Sequence, residues 1–185
     1  MRASLLSRLT VLARELRGRI HERVLVYRAG DATEPAIEVR RLSREEADRW
    51  GVPYSAETLS ANEMNGWRLY AYFHANVPAS FAWARLATEH HITEIGTRVR
   101  AEREVGWIVH CITPEAHRGR GYYPRLIRQV ARALGATTYI YCIDSNIGSR
   151  RGIERAGFVP IGTLSRTLGR LSNTVTGLRV VTEKA

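Results

Sequence analysis

HRGRGYYPRLIRQVARALG, residues 117–135, decides how this chain folds, because a stretch with two glycines runs directly into an amphipathic helix. Tyr123, Leu126, Ile127, Val130 and Leu134 recur at the i, i+3, i+4, i+7 spacing of one buried face. Pro124 suits the first turn, where its missing N–H costs nothing, and Gly135 suits the stop. The first N–H groups of such a helix have no partner within it, and the helix dipole adds positive potential there. The junction is a ready site for a phosphate anion, so a phosphorylated cofactor is the expected ligand.

Working outward, residues 105–113 (VGWIVHCIT) read as a buried strand ended by Pro114, and residues 137–143 (TTYIYCI) as a second strand. Residues 144–158 (DSNIGSRRGIERAGF) read as a short helix closing on Gly157 and Phe158. The loop is not a Walker A sequence, having no Gly-Lys-Ser/Thr ending, and it lacks the three-glycine spacing of a dinucleotide fingerprint. Alone, RGRG is more often an exposed turn or an arginine-glycine patch than a cofactor site. The strand and helix that follow it change the odds.

With both segments in order, the chain resembles the GNAT superfamily of acyl-CoA-dependent N-acyltransferases. The family's first motif, Arg/Gln-x-x-Gly-x-Gly/Ala opening a helix, is matched by Arg118, Gly119, Arg120, Gly121, Tyr122 and Tyr123. Its second, a strand followed by Asn-x-x-Ser and a helix ending in Gly-Phe, is matched by Asn146, Ser149, Gly157 and Phe158. The resemblance covers residues 104–165. It departs at Tyr123, which stands where Gly or Ala is usual; its place in the apolar stripe aims it at a helix–sheet interface.

The resemblance implies an α/β (α+β) fold with a central mixed, mostly antiparallel sheet flanked by helices, and an acyl-CoA-dependent N-acetyltransferase activity. Acetyl-CoA or another acyl-CoA is the implied co-substrate, with no metal. Main-chain amides of Arg118 through Tyr123 would cradle the diphosphate, Cys111, Ile112 and Thr113 would pair with the pantetheine arm, and Asn146 and Ser149 would reach it from the second motif. Asn146 is equally placed to cap its own helix. The implied acceptor is a primary amine of a small metabolite, with an amino sugar the leading guess. A protein N-terminus or lysine, and a non-catalytic CoA-binding module, stay open as alternatives.

Proton handling is less legible. Many relatives carry a tyrosine four residues before the Gly-Phe pair, and here that residue is Ile153. Tyr141 and Tyr122 are substitute acids, although both also suit packing. Glu104, His110 and Glu94 are the bases nearest in sequence, His110 being tunable by burial.

The rest of the chain bounds this reading. Its 185 residues, 44% hydrophobic and 25% charged, suit one domain with a real core, expected over residues 23–185. Residues 1–22 are expected to form an added amphipathic helix, with Leu5, Leu9, Leu12, Leu16 and Ile20 on one stripe. That helix could dock on the domain, on a second subunit of a homodimer or on an anionic membrane surface, or it could fray; monomer and homodimer both stay open. No stretch is long enough to span a bilayer and no secretory signal is recognised, which makes a cytoplasmic location the default.

The formal charge of +10 invites a nucleic-acid partner, but every cation except Lys184 is arginine and the arginines are spread without interleaved aromatics. No nucleic-acid partner is expected; Arg118, Arg120, Arg125 and Arg150 or Arg151 would serve the cofactor's phosphates instead. Cys111 and Cys142 read as small buried hydrophobes on neighbouring strands, not as metal ligands. Residues 43–50 read as a capped helix, 55–66 as a second short helix, and 67–74 and 79–86 as a hairpin. Residues 87–104 read as polar and irregular, with His90 and His91 in a loop. Residues 158–164 and 174–182 are expected as two closing antiparallel strands.

Overall fold

A computed structural model describes residues 21–29 and 39–181 as nine strands in one sheet, with helices against both faces. In chain order these are β1 (His21–Ala29), β2 (Val39–Arg41), α1 (Arg44–Trp50), α2 (Ala56–Met64), β3 (Arg68–His74), β4 (Val77–Ile92) and β5 (Thr97–Ile112). Next come α3 (Tyr122–Leu134), β6 (Thr138–Ile143), α4 (Ile147–Arg155), β7 (Phe158–Thr167), β8 (Arg170–Asn173) and β9 (Arg179–Val181). The strands lie in the order β2-β3-β4-β5-β6-β1-β7-β8, with β9 against the far half of β5. Among the described pairs only β5 and β6 run parallel, and α3 is the crossover that a parallel pair requires. The expected mixed, mostly antiparallel sheet is present.

Local chemistry explains the elements. Ser43 Oγ accepts from the Glu46 N–H (3.2 Å) while the Glu46 carboxylate accepts from the Ser43 N–H (2.9 Å), a reciprocal cap that starts α1. Ser55 caps α2 without the return bond, accepting from the Thr58 N–H at 3.1 Å. The β3–β4 turn falls on Ala75 and Asn76, both at positive φ, so Val77 and Pro78 already belong to β4. Leu126, Ile127 and Val130 of α3 are fully buried against Ile108, Ile140 and Ile153. Burial of each stabilises the fold by about 1.5–3 kcal/mol before chain entropy is counted.

The opposite face carries a second cluster built from Val24, Val26, Leu59, Trp83, Trp107, Val109 and Tyr139. Here the structure corrects the expectation for residues 87–104. They are not irregular: β4 and β5 continue as a long arm, with Glu89 opposite Arg100 and Ile92 opposite Thr97. His90, Ile92, Thr97, Val99 and Ala101 point inward along it. The ladder slips between Ala87 and Glu89, and beyond the slip Ile92, Ile95 and Val99 join the cluster with Val24 and Leu164. Arg166 of β7 fastens the tip, donating from Nε to the Ile95 carbonyl (2.8 Å) and from Nη2 to the Gly96 carbonyl (3.1 Å). His90 is thus a buried strand residue, not part of a polar loop.

The C-terminal expectation also shifts. β7 pairs antiparallel with β1, but residues 174–178 are not strand; β8 precedes them and β9 pairs with β5. His21 and Glu22 belong to β1, and the rest of the expected N-terminal helix lies outside the described residues.

Candidate functional site

Gly119 and Gly121 both sit at φ +75°, a conformation that side chains rarely adopt, and a Cβ on either would meet nothing within 4 Å. Gly121 is the N-cap of α3 and no side chain caps that end, which leaves first-turn amides facing the open side of the loop. The loop is tied to the sheet through Arg118, whose Nε donates to the Thr113 carbonyl at 3.1 Å. Thr113 Oγ1 in turn lies 2.8 Å from the hydroxyl of the fully buried Ser80.

Below the loop the two parallel strands part. Gly106, Trp107 and Ile108 pair with Thr138, Tyr139 and Ile140, and no β5–β6 pairing is formed beyond them among the described residues. β6 stays with β1 through Tyr141, Cys142 and Ile143. β5 stays with β4 but carries a bulge, since Trp83 faces Val109 and Phe81 faces Ile112. His110 sits in that bulge at φ +48°, exposed, and its carbonyl accepts from the Tyr54 hydroxyl at 2.5 Å. Two strand edges therefore face each other across a wedge, and an amide-bearing chain could pair with them as an added strand.

Tyr122 and Tyr123 serve packing. Tyr122 is buried, stacked on Tyr72 at 5.3 Å and tilted against His74 at 5.1 Å. Tyr123 packs, as expected, against the helix–sheet cluster, and there it lies against Gly152 of α4, with its hydroxyl 3.2 Å from Ser149 Oγ. Its phenol is raised well above the ordinary tyrosine value, chiefly by burial. Asn146 is the N-cap of α4, accepting from the Ser149 N–H at 3.0 Å. Ile153 is fully buried among α3 and sheet residues.

On the face away from α3, Tyr141 follows the last β5–β6 pair and lies beside an aromatic cluster that sequence reading missed. His90 Nε2 is 3.3 Å from the Tyr141 hydroxyl, and the imidazole stacks on Trp107 (4.8 Å) with Trp67 edge-on at 5.6 Å. Burial, reinforced by the charges of Arg85, His91 and His110, pushes His90 down to about 3. Burial and the neighbouring Glu94 carboxylate push the Tyr141 phenol upward. Burial likewise raises Cys111 to about 12 and Cys142 to about 11, Ser149 acting against it at Cys142.

The structure therefore brings Cys111, Ile112, Thr113, His110 and Tyr141 to the wedge, with Arg118, Gly119, Arg120 and Gly121 at its mouth. Glu104 is not among them. It is exposed on β5 on the far side of the paired residues, and six strand positions separate it from His110, roughly 20 Å. Of the expected phosphate-facing arginines, Arg125 donates to the Tyr72 hydroxyl (3.1 Å) and Arg150 to the Asp144 carboxylate (2.9 Å), while Arg120 and Arg151 are exposed. A separate open cavity of about 790 Å³ lies at the other end of α3. Its wall includes Arg128, which donates to the last carbonyls of α4 at Arg155 and Ala156 and so serves as a cap. Among the described residues, no group of His, Cys, Asp and Glu side chains could hold a metal ion, and no helix is long and apolar enough to cross a membrane.

Sheet, wedge, glycine loop and crossover helix together form the GNAT acyltransferase fold. A protein of Novosphingobium aromaticivorans assigned to the GNAT acetyltransferase family superposes with a TM-score of 0.52 at 18% identity, over 78% of this chain and 62% of its own. A GNAT-family acetyltransferase of Colwellia psychrerythraea gives a TM-score of 0.55 at 15% identity, over 83% of this chain and 56% of its own. The match thus spans less than two thirds of the length of either. No family model and no curated protein sequence matches the chain.

Proposed function

We propose that this protein is an N-acyltransferase of the GNAT type, moving an acetyl or other short acyl group from acyl-CoA to a primary amine of a small metabolite. The observation that carries this is the unpaired wedge between β5 and β6, opening beside a glycine turn whose amides lack a side-chain cap. Residues 118–123 would hold the diphosphate, and the bulged main chain of Cys111 and Ile112 would pair with the pantetheine amides and offer an N–H to the thioester carbonyl. Ser149, held by Tyr123, and Asn146 line the α4 side. His110 and Tyr141 are the groups nearest the wedge for proton transfer, with Glu94 beside Tyr141. Glu104 has no role in this arrangement. Residues 23–185 would act as one soluble, cytoplasmic domain.

A thermal-shift titration followed by an amine screen tests the reading. Acetyl-CoA and desulfo-CoA should both raise the melting temperature, since ligand at a hundredfold excess over Kd stabilises by about 2.7 kcal/mol. Acetyl-CoA mixed with an acceptor amine should then release free thiol. Indifference to both CoA ligands would sink the proposal. Stabilisation with no turnover across amines and peptides would favour a binding module.

A further inference from the structure

We propose that Tyr54 is a positioning residue for acyl transfer: its hydroxyl holds the His110 carbonyl out of the wedge, so that the His110 N–H faces the reacting thioester oxygen without its own carbonyl beside it. The inference rests on the acyl-transfer reading above and names a side chain, remote in sequence, that shapes the wedge.

The direction of the His110 N–H follows from the register of β5. The Gly106 N–H donates to the Thr137 carbonyl at 2.9 Å, so Gly106 turns its main-chain groups toward β6. Along a strand these groups alternate between the two edges, which puts the N–H groups of Ile108 and His110 on the same side. Pairing with β6 ends at Ile108, opposite Ile140, so the His110 N–H is the first on that edge to face the wedge. In a regular strand the His110 carbonyl would leave on the same side. It does not, because His110 sits in the bulge between the Val109 and Ile112 pairings at φ +48°, a region that side chains rarely adopt.

The turned carbonyl is met by the Tyr54 hydroxyl, which donates to it at 2.5 Å. Tyr54 is well placed to hold it. It lies in the short connection from α1 to α2, between the left-handed cap Gly51 and the N-cap Ser55. Its own N–H donates to the Val52 carbonyl at 2.8 Å, and the Val52 N–H donates to Ala47 of α1 at 3.2 Å. The ring packs edge-on against the fully buried Trp83, with centroids 5.8 Å apart, on the face of the sheet opposite α3. Trp83 is also the β4 residue that pairs with Val109, so ring and bulge share one support.

The chemistry gives this arrangement a purpose. As the amine nitrogen bonds to the thioester carbon, one electron pair of the C=O moves onto oxygen. That pair returns as the C–S bond breaks with its electrons on sulfur, and the proton lost by nitrogen ends on the thiolate. An N–H aimed at the transient oxyanion lowers the barrier, whereas a carbonyl oxygen aimed at it raises the barrier. Holding the carbonyl away before substrate arrives avoids reorganising the bulge during the reaction.

Kinetics and binding of the full chain, with acetyl-CoA and an accepted amine, decide the matter. Tyr54→Phe keeps the ring on Trp83 and removes only the hydroxyl. It should lower kcat by about tenfold or more, short of the roughly 10²–10³ lost when an oxyanion donor is itself removed. The KM for acetyl-CoA and the thermal shift given by desulfo-CoA should stay within about threefold of wild type in affinity, because the diphosphate loop is untouched. The pH profile of kcat should keep its shape, and a crystal structure of the variant should show His110 relaxed to negative φ. Wild-type kcat in Tyr54→Phe overturns the proposal, as does a lowered kcat with the His110 carbonyl still turned away. An equal loss of desulfo-CoA binding would make Tyr54 a support of the whole wedge, and loss of the alkaline limb of the profile would make it an acid; either result overturns the positioning role. If wild type binds acetyl-CoA and releases thiol while Tyr54→Phe does so equally well, only this role fails. If wild type does neither, the acyl-transfer reading fails with it.

Discussion

The Tyr123 ring lies directly on Gly152: a Cβ built at Gly152 would stand 2.4 Å from Tyr123 Cδ1 and 2.5 Å from Cε1. The tyrosine that departs from the usual small residue in the loop motif is thus accommodated by a glycine on the next helix. The contact joins α3, which begins at the glycine loop, to α4, which begins at Asn146. Gly152→Ala should force the two helices apart and lower stability by about 1–3 kcal/mol, the usual cost of overpacking. Calorimetry of Gly152→Ala and of Tyr123→Ala/Gly152→Ala checks it, because removing the ring should recover most of the loss.

Gly121 allows strain and charge to be separated. Any side chain at its φ of +75° costs on the order of 1–2 kcal/mol, less for Asn, which tolerates this region. Gly121→Asn should therefore fold nearly normally. Gly121→Asp adds a negative charge at the same spot and should abolish the thermal shift given by acetyl-CoA. Equal acetyl-CoA shifts in the two variants would remove the diphosphate from this loop.

Much of the architecture around the wedge was legible because its signals are local. The apolar stripe of α3, the stop at Gly135 and the runs forming β5 and β6 each need only a dozen neighbouring residues to be read. The β4–β5 arm was missed because its inward row contains His90 and Thr97, and because the slip near Ala87 breaks the alternation. Thr97, Val99 and Ala101 against Arg98 and Arg100 did carry the two-residue period of a strand. The burial of His90 was not readable at all. It depends on Trp107 and Tyr141 arriving from other strands, as the value of Gly152 depends on Tyr123.

Asn146 has a defined structural duty, accepting from the Ser149 N–H, so Asn146→Ala should cost about 1 kcal/mol of stability. Asn146→Ser should restore that loss, since serine caps as well. If the side chain also touches the pantetheine arm, the KM for acetyl-CoA rises in both variants. A KM restored by serine along with stability would leave Asn146 a cap alone. Melting curves and acetyl-CoA saturation curves together make the distinction.

Both thiols are held protonated at ordinary pH, Cys111 near 12 and Cys142 near 11, by burial. The thiolate is the reacting species, so native protein at pH 8 should react with Ellman's reagent far more slowly than unfolded protein. Two fast equivalents per chain should appear only on adding denaturant. Rapid labelling of the native protein would contradict the packing of Cys111 beside the wedge.

His90 should make the fold acid-sensitive. Its folded value of about 3 lies below the ordinary 6.5, so between these limits the unfolded chain binds a proton that the folded chain refuses. Stability then rises with pH: this group's contribution is complete above about pH 6.5 and is lost on acidification toward pH 3. The slope from one such group is at most about 1.4 kcal/mol per pH unit. Surface carboxylates add their own dependence at the lower end, so the comparison that isolates His90 is with His90→Gln, which has nothing to titrate. Urea unfolding from pH 7 to pH 4.5 should show a steeper loss in wild type than in the variant. Parallel curves would mean that His90 is protonated in the folded state, and hence that the imidazole is not sealed between Trp107 and Trp67.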